Sequence, residues 1–240
     1  MMRVLFAAWI GLALLAGPGI MTSSAEAAAA EATKKTVTKK KTSDKSKKKW
    51  ARAKPGVFKS KEIKSTNFKP FKKWRAAMDR YIKQAKKKEG PCTATKLNGC
   101  HYKHWMDYLE KIKSLDKMTQ IKKVNRYMNQ RRYITDPKNW GKKDFWATPG
   151  EFLDKRGDCE DYSIAKYMSL KKLGFDEMSL RIIAVKDQNL KVGHAILGVY
   201  LDGKIYILDN QVKQVTEDKS IRHYKPVFSI NEKAWWRHRG

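Results

Sequence analysis

The sequence predicts an α+β fold, on three observations. Between residues 68 and 133, apolar side chains recur every three or four positions, the period of helices that bury one stripe. From 180 to 208 the chain turns to short runs of branched and aromatic residues, two of them separated by the hairpin signal Asp202-Gly203. Helix patterns therefore dominate the N-terminal half and strand patterns follow, with one further helix between them at Cys159.

At the N-terminus, Met1-Met2-Arg3 precedes an apolar run from Val4 to Ile20, and Ala25-Glu26-Ala27 offers the small residues that a signal peptidase requires. This predicts an export signal over 1–27. Gly17-Pro18-Gly19 interrupts the run and the dense lysines follow it, both of which weigh against an uncleaved membrane anchor. Thr33 to Lys54 is almost entirely Lys, Thr, Ser and Ala, a composition that cannot form a core, so 28–55 is expected to be a disordered, Lys-rich linker. Residues 56–240 remain as one domain of ordinary size.

Within that domain, Phe68 to Lys87 carries Phe71, Trp74, Met78, Tyr81 and Ile82 on one helical stripe, ended by Gly90-Pro91. A second helix is predicted over His104 to Ile112. A third runs from Lys117 to Tyr133 through Ile121, Val124, Tyr127 and Met128. Thr135 to Pro149 mixes turn residues with Trp140 and Trp146 and is expected to be a loop whose tryptophans lie against the core. Gly157-Asp158 introduces a helix from Cys159 to Leu173, closed by Gly174, and strands follow at Leu180–Val185, His194–Leu201 and Ile205–Leu208.

A formal net charge of +29 invites a polyanion or nucleic-acid partner. Much of that charge sits in the linker, however, and the remaining lysines are spread along solvated helix faces, so no specific nucleic-acid site is expected. Of the three cysteines, Cys92 and Cys100 flank a short polar stretch with the turn former Asn98-Gly99 and are expected to form a disulfide in an exported protein. A zinc site with His101 and His104 is the weaker alternative, because the cysteine spacing is wide for a knuckle.

Cys159 is thus left as an unpaired thiol at the first turn of a helix. Aligned peptide dipoles there stabilise a thiolate, and the free N–H groups can hold the oxyanion of an acyl transfer. Asp158, Glu160 and Asp161 surround it with negative charge, which by itself raises a thiol pKa. The three carboxylates suit either a Ca²⁺ ion or simple capping of the helix. If Asp202-Gly203 is a two-residue turn, Tyr200 faces Ile205, Gly198 faces Ile207 and Ile196 faces Asp209. His194 and Asp209 then project from one side of the hairpin as diagonal neighbours, as an imidazole oriented by a carboxylate requires. His223 and His238 lie in basic surroundings and are expected to be exposed.

The segments Trp146-Ala147-Thr148-Pro149-Gly150-Glu151-Phe152-Leu153, Gly157-Asp158-Cys159-Glu160-Asp161-Tyr162, Gly193-His194-Ala195 and Leu208-Asp209-Asn210 resemble the bacterial transglutaminase-like cysteine proteinases. The resemblance implies a papain-like core with Cys159, His194 and Asp209 as catalytic triad. It also implies Ca²⁺ held by Asp158 and Glu160, with Asp161 as a third candidate. A periplasmic location, cleavage of a large surface adhesin, control by an inner-membrane receptor for cyclic di-GMP and a role in biofilm release come with it. The same thiol chemistry would serve a transglutaminase or protein deamidase acting on glutamine side chains. A non-enzymatic cationic coat for acidic polymers is the third alternative.

Overall fold

The computed structural model describes residues 56–86 and 100–239. The expected export signal over 1–27, the linker over 28–55 and the Cys92 half of the expected disulfide lie outside the described residues.

The fold is α+β. Its sheet has seven strands in the order β1-β7-β6-β2-β3-β4-β5, every neighbouring pair antiparallel. These are β1 (Lys61–Ser65), β2 (Leu180–Asp187), β3 (Gly193–Leu201), β4 (Lys204–Leu208), β5 (Thr216–Glu217), β6 (Tyr224–Ile230) and β7 (Trp235–Arg239). The helices are α1 (Lys72–Ala85), α2 (Cys100–Ile112), α3 (Lys117–Asn129), α4 (Asp136–Trp140), α5 (Pro149–Lys155) and α6 (Cys159–Lys172). Leu180, Ile182, Leu197, Val199 and Leu208 bury one sheet face against the helices, while Ile183, Val185, Ile196, Tyr200, Ile205 and Ile207 form a second cluster with Val57 and Tyr224.

Helix α6 lies at the centre, packed on β2 and β3 and against α3 and α5. Every residue from Asp161 to Leu170 is buried, so the helix has no wet face. Burying Ile164, Met168 and Leu170 stabilises it by about 1.5–3 kcal/mol each, enough to fix the position of its first turn.

Several elements depart from the expected text. Helix α3 stops at Asn129, not Tyr133, because Tyr133 is drawn into a β-bridge with Gly157 and the Ile134 N–H bonds to the Gly157 carbonyl at 2.9 Å. The expected loop over Thr135 to Pro149 contains α4, started by Pro137 and ended by Gly141 in the left-handed region. It ends in α5, whose Thr148 and Glu151 form a capping box around Pro149. Strands β1, β5, β6 and β7 were absent from the pattern. β6 contains Pro226, tolerated where the ladder with β2 shifts register between Ala184 and Val185.

His238 is not exposed. It is buried between β1 and β6, with its ring bonded to Ser60 Oγ at 2.8 Å and Ser229 Oγ at 3.0 Å. Burial pulls its pKa down to about 4, against the pull of nearby Glu62. These bonds tie β1 to the rest of the sheet.

Candidate active site

Strands β3 and β4 pair Tyr200 with Ile205 and Gly198 with Ile207, the register of a two-residue turn at Asp202-Gly203. Beyond the last ladder pair, Leu197 with Leu208, the chain carries Asp209 towards His194. His194 Nε2 lies 2.9 Å from Asp209 Oδ1, both side chains almost fully buried. The carboxylate also accepts the Gln211 N–H at 2.9 Å and the Tyr224 hydroxyl at 2.6 Å. Burial alone would raise the Asp209 pKa, but these bonds, led by that from His194, hold it below the usual carboxylate range. With Nε2 engaged, Nδ1 is the nitrogen left for other chemistry.

Cys159 opens α6 directly after Asp158, the N-cap residue, and forms no disulfide. Its thiol donates to Glu160 Oε2 at 3.1 Å, and the backbone N–H of Ala195, the residue after His194, is directed at the sulfur. The nucleophile candidate and the imidazole strand therefore meet at the start of α6. Burial, and then the Glu160 carboxylate, push the thiol pKa well above its ordinary value. Such a thiol stays protonated at neutral pH unless positive charge is brought close.

The acidic residues around it are not equivalent. Asp161 is fully buried and structural: Oδ1 accepts the Ala147 N–H at 2.6 Å and Oδ2 the Asp158 N–H at 3.3 Å. A Cβ on Gly157 would sit 2.0 Å from that second oxygen, so only glycine permits this turn. Asp158, Asp161 and Asp136 can each offer an oxygen, all within 4.8 Å of one another, and Asp136, Asp144 and Glu160 form a second such group. Asp136 belongs to both groups, yet the sequence marked it only as part of an Asp-Pro turn.

Asp136 Oδ2 accepts the Phe145 N–H and Asp158 Oδ2 accepts the Asp136 N–H, while the Oδ1 of each is buried without a hydrogen-bond partner. Burial, reinforced by Glu160, raises the Asp158 pKa to about 7. Burial, eased by the Phe145 N–H and reinforced by Asp158, raises that of Asp136 to about 6. Unpartnered buried carboxylate oxygens beside further acids fit a hard, oxygen-seeking cation.

Three further residues had no clear sequence signal. Tyr224 reaches Asp209 from β6, and Asn129 Nδ2 donates to the Asp209 carbonyl from the end of α3 at 2.7 Å. Lys166 is 1% exposed, two helical turns after Cys159, and burial pulls its pKa down to about 7 against the attraction of Asp209. A lysine inside the apolar run Ile164-Ala165-Lys166-Tyr167-Met168 was the available clue.

The sign of the Lys166 effect follows from linkage. The folded pKa lies below the ordinary 10.5, so unfolding takes up a proton between about 7 and 10.5 and stability rises with pH across that window. Lys166→Met is expected to remove this rise. Denaturant titrations at successive pH values should show the wild-type minus variant difference growing by up to about 1.4 kcal/mol per pH unit. Parallel pH profiles would mean that Lys166 keeps an ordinary pKa.

Residues 91–238 match the family described as bacterial transglutaminase-like cysteine proteinase. Among solved structures, the chain is similar to calcium-bound LapG of Legionella pneumophila, with 29% identity and a TM-score of 0.55 over 67% of this chain and 87% of that one. The EGTA-treated form of the same Legionella protein matches at 28% identity and a TM-score of 0.56, over 68% and 87%. No curated protein matches the chain.

Proposed function

The chain belongs to the bacterial transglutaminase-like cysteine proteinases, and from that premise we propose that it is an exported, calcium-dependent endopeptidase using Cys159, His194 and Asp209. The single observation that carries the proposal is the junction at the start of α6. There a lone thiol meets the strand of an imidazole that is already held by a buried carboxylate.

In the proposed mechanism His194 Nδ1 takes the thiol proton, and the Cys159 thiolate attacks the peptide carbonyl. The oxyanion faces the N–H groups of the first turn of α6. His194 then returns the proton to the leaving amine, and water, activated by the same imidazole, releases the acyl group. Asp209 keeps the ring in the tautomer that presents Nδ1 as base.

Asp158 and Glu160, with Asp161 and Asp136 as further candidates, are the residues proposed to hold Ca²⁺. When bound, the ion would neutralise the carboxylates that now raise the thiol pKa. The relatives solved with calcium and after EGTA treatment support the same cofactor. Proposed context follows the family: a periplasmic enzyme that releases a large adhesin during biofilm dispersal, restrained by an inner-membrane cyclic di-GMP receptor.

Incubating the protein with an adhesin fragment from the same cells tests the proposal. A new N-terminus should form with Ca²⁺ and disappear with EGTA. Saturating Ca²⁺ should also raise Tm by about 5–10 °C, as for a ligand at about 100 times its Kd, and Asp136→Asn should abolish that rise. Crosslinked or deamidated product without a new N-terminus would favour the glutamine-directed chemistry instead. A Tm insensitive to Ca²⁺ would remove the metal from the proposal.

A further inference from the structure

Helix α3 and the segment after Asp209 enclose a groove of about 810 Å³ lined by Lys122, Arg126 and Lys213 with the amides of Asn129, Gln130 and Gln214, and no acidic residue lines it. Resting on the protease assignment, we infer that this groove binds an acidic stretch of the protein substrate beside the scissile bond and so contributes to cleavage-site choice.

Three features carry the inference. First, the cations are uncommitted. No acid lines the groove, and none among the described residues forms an ion pair with Lys122, Arg126 or Lys213. Together they make the lining of the groove positive. Second, the walls are fixed. Asn125 Nδ2 donates to the Lys213 carbonyl at 3.1 Å and Asn129 Nδ2 to the Asp209 carbonyl at 2.7 Å, so two turns of α3 clamp the far wall in place. Third, the groove neighbours the proposed triad: Asn129, one of its lining residues, is the donor that holds the Asp209 carbonyl. A peptide extended from the thiol towards α3 would present its side chains to these cations. Guanidinium, ammonium and amide donors without an acceptor carboxylate select carboxylates.

The test compares two full-length variants with equal loss of charge: Lys122→Gln/Arg126→Gln/Lys213→Gln in the groove, and Lys64→Gln/Lys83→Gln/Lys111→Gln on exposed surface elsewhere. The probe is a fluorescein-labelled peptide of alternating Asp and Ser, followed by anisotropy. The groove variant should bind it about tenfold more weakly than wild type and the control no more than about twofold. Equal weakening in both would overturn the inference, because the attraction would then be diffuse. In a second arm, a mixed peptide library is digested. Wild-type cuts should be enriched in Asp and Glu at fixed positions on one side of the scissile bond, and the groove variant should lose the enrichment. Cleavage without that enrichment would also overturn it. Absence of any cleavage by the wild type would count against the protease assignment, and the anisotropy comparison would still decide the groove.

Discussion

Replacing Cys159 by alanine is expected to lower the rate of substrate cleavage by at least about 10³-fold without unfolding the protein. The sulfur is the atom proposed to bond to the substrate, and alanine offers no nucleophile in its place. Little structure depends on it. The thiol donates one hydrogen bond, to Glu160, and accepts the Ala195 N–H, and alanine is a good helix former at the first position of α6. Stability should therefore change by no more than about 1 kcal/mol, read from the unfolding midpoint in denaturant. A cationic coat protein would behave oppositely: its activity would survive the substitution and fall steeply with salt. Retained cleavage in a folded Cys159→Ala protein would dismiss the proposed chemistry outright.

Asp209→Asn should come next in magnitude, with kcat falling by about 10²–10⁴-fold and KM changing far less. Asparagine fills nearly the same space, so the effect isolates hydrogen bonding. In the native protein one carboxylate oxygen serves His194 and the Gln211 N–H while the other accepts the Tyr224 hydroxyl. An amide can satisfy the Tyr224 hydroxyl or the imidazole N–H with its single oxygen, not both. If its NH₂ turns to His194, Nε2 must accept, the ring proton moves to Nδ1, and the base facing the thiol is lost. Near-UV circular dichroism should confirm an intact core. More than a tenth of wild-type kcat in Asp209→Asn would show that tautomer control by this carboxylate is unimportant.

Local rules explain which parts could be read from the sequence. A three-to-four residue period betrays α1 and α3 because each buries a stripe, whereas α6, buried all round, is marked by Gly157-Asp158 before it and Gly174 after it, and Asp202-Gly203 fixes the β3–β4 register because the turn admits two residues. That register is why His194 and Asp209 could be paired on paper. Strand β7 could not be found the same way. Its Trp235-Trp236-Arg237-His238-Arg239 alternates, but with Arg in the exposed places and a histidine whose burial depends on Ser60 and Ser229. Tyr224 and Asn129 touch Asp209 only after folding, and nothing adjacent in the chain announces either contact. Asp136 shows the converse difficulty. An Asp-Pro pair is common turn chemistry, and its role emerges only when α4 brings it beside Asp158 and leaves an oxygen of each without a partner. The capping box at Thr148 and Glu151, by contrast, stood in the sequence as Thr-Pro-Gly-Glu and predicts α5 once the motif is sought.

The central claim is that the imidazole of His194 acts on the sulfur of Cys159. The rate at which iodoacetamide alkylates Cys159, followed by mass spectrometry against pH with Ca²⁺ present, tests it most directly. Wild-type protein should react rapidly at neutral pH, with an apparent thiol pKa below the ordinary value of about 8.5, and His194→Ala should slow the reaction at pH 7 by about tenfold or more. Alkylation that begins only above about pH 8.5, at the same rate in both proteins, would contradict it.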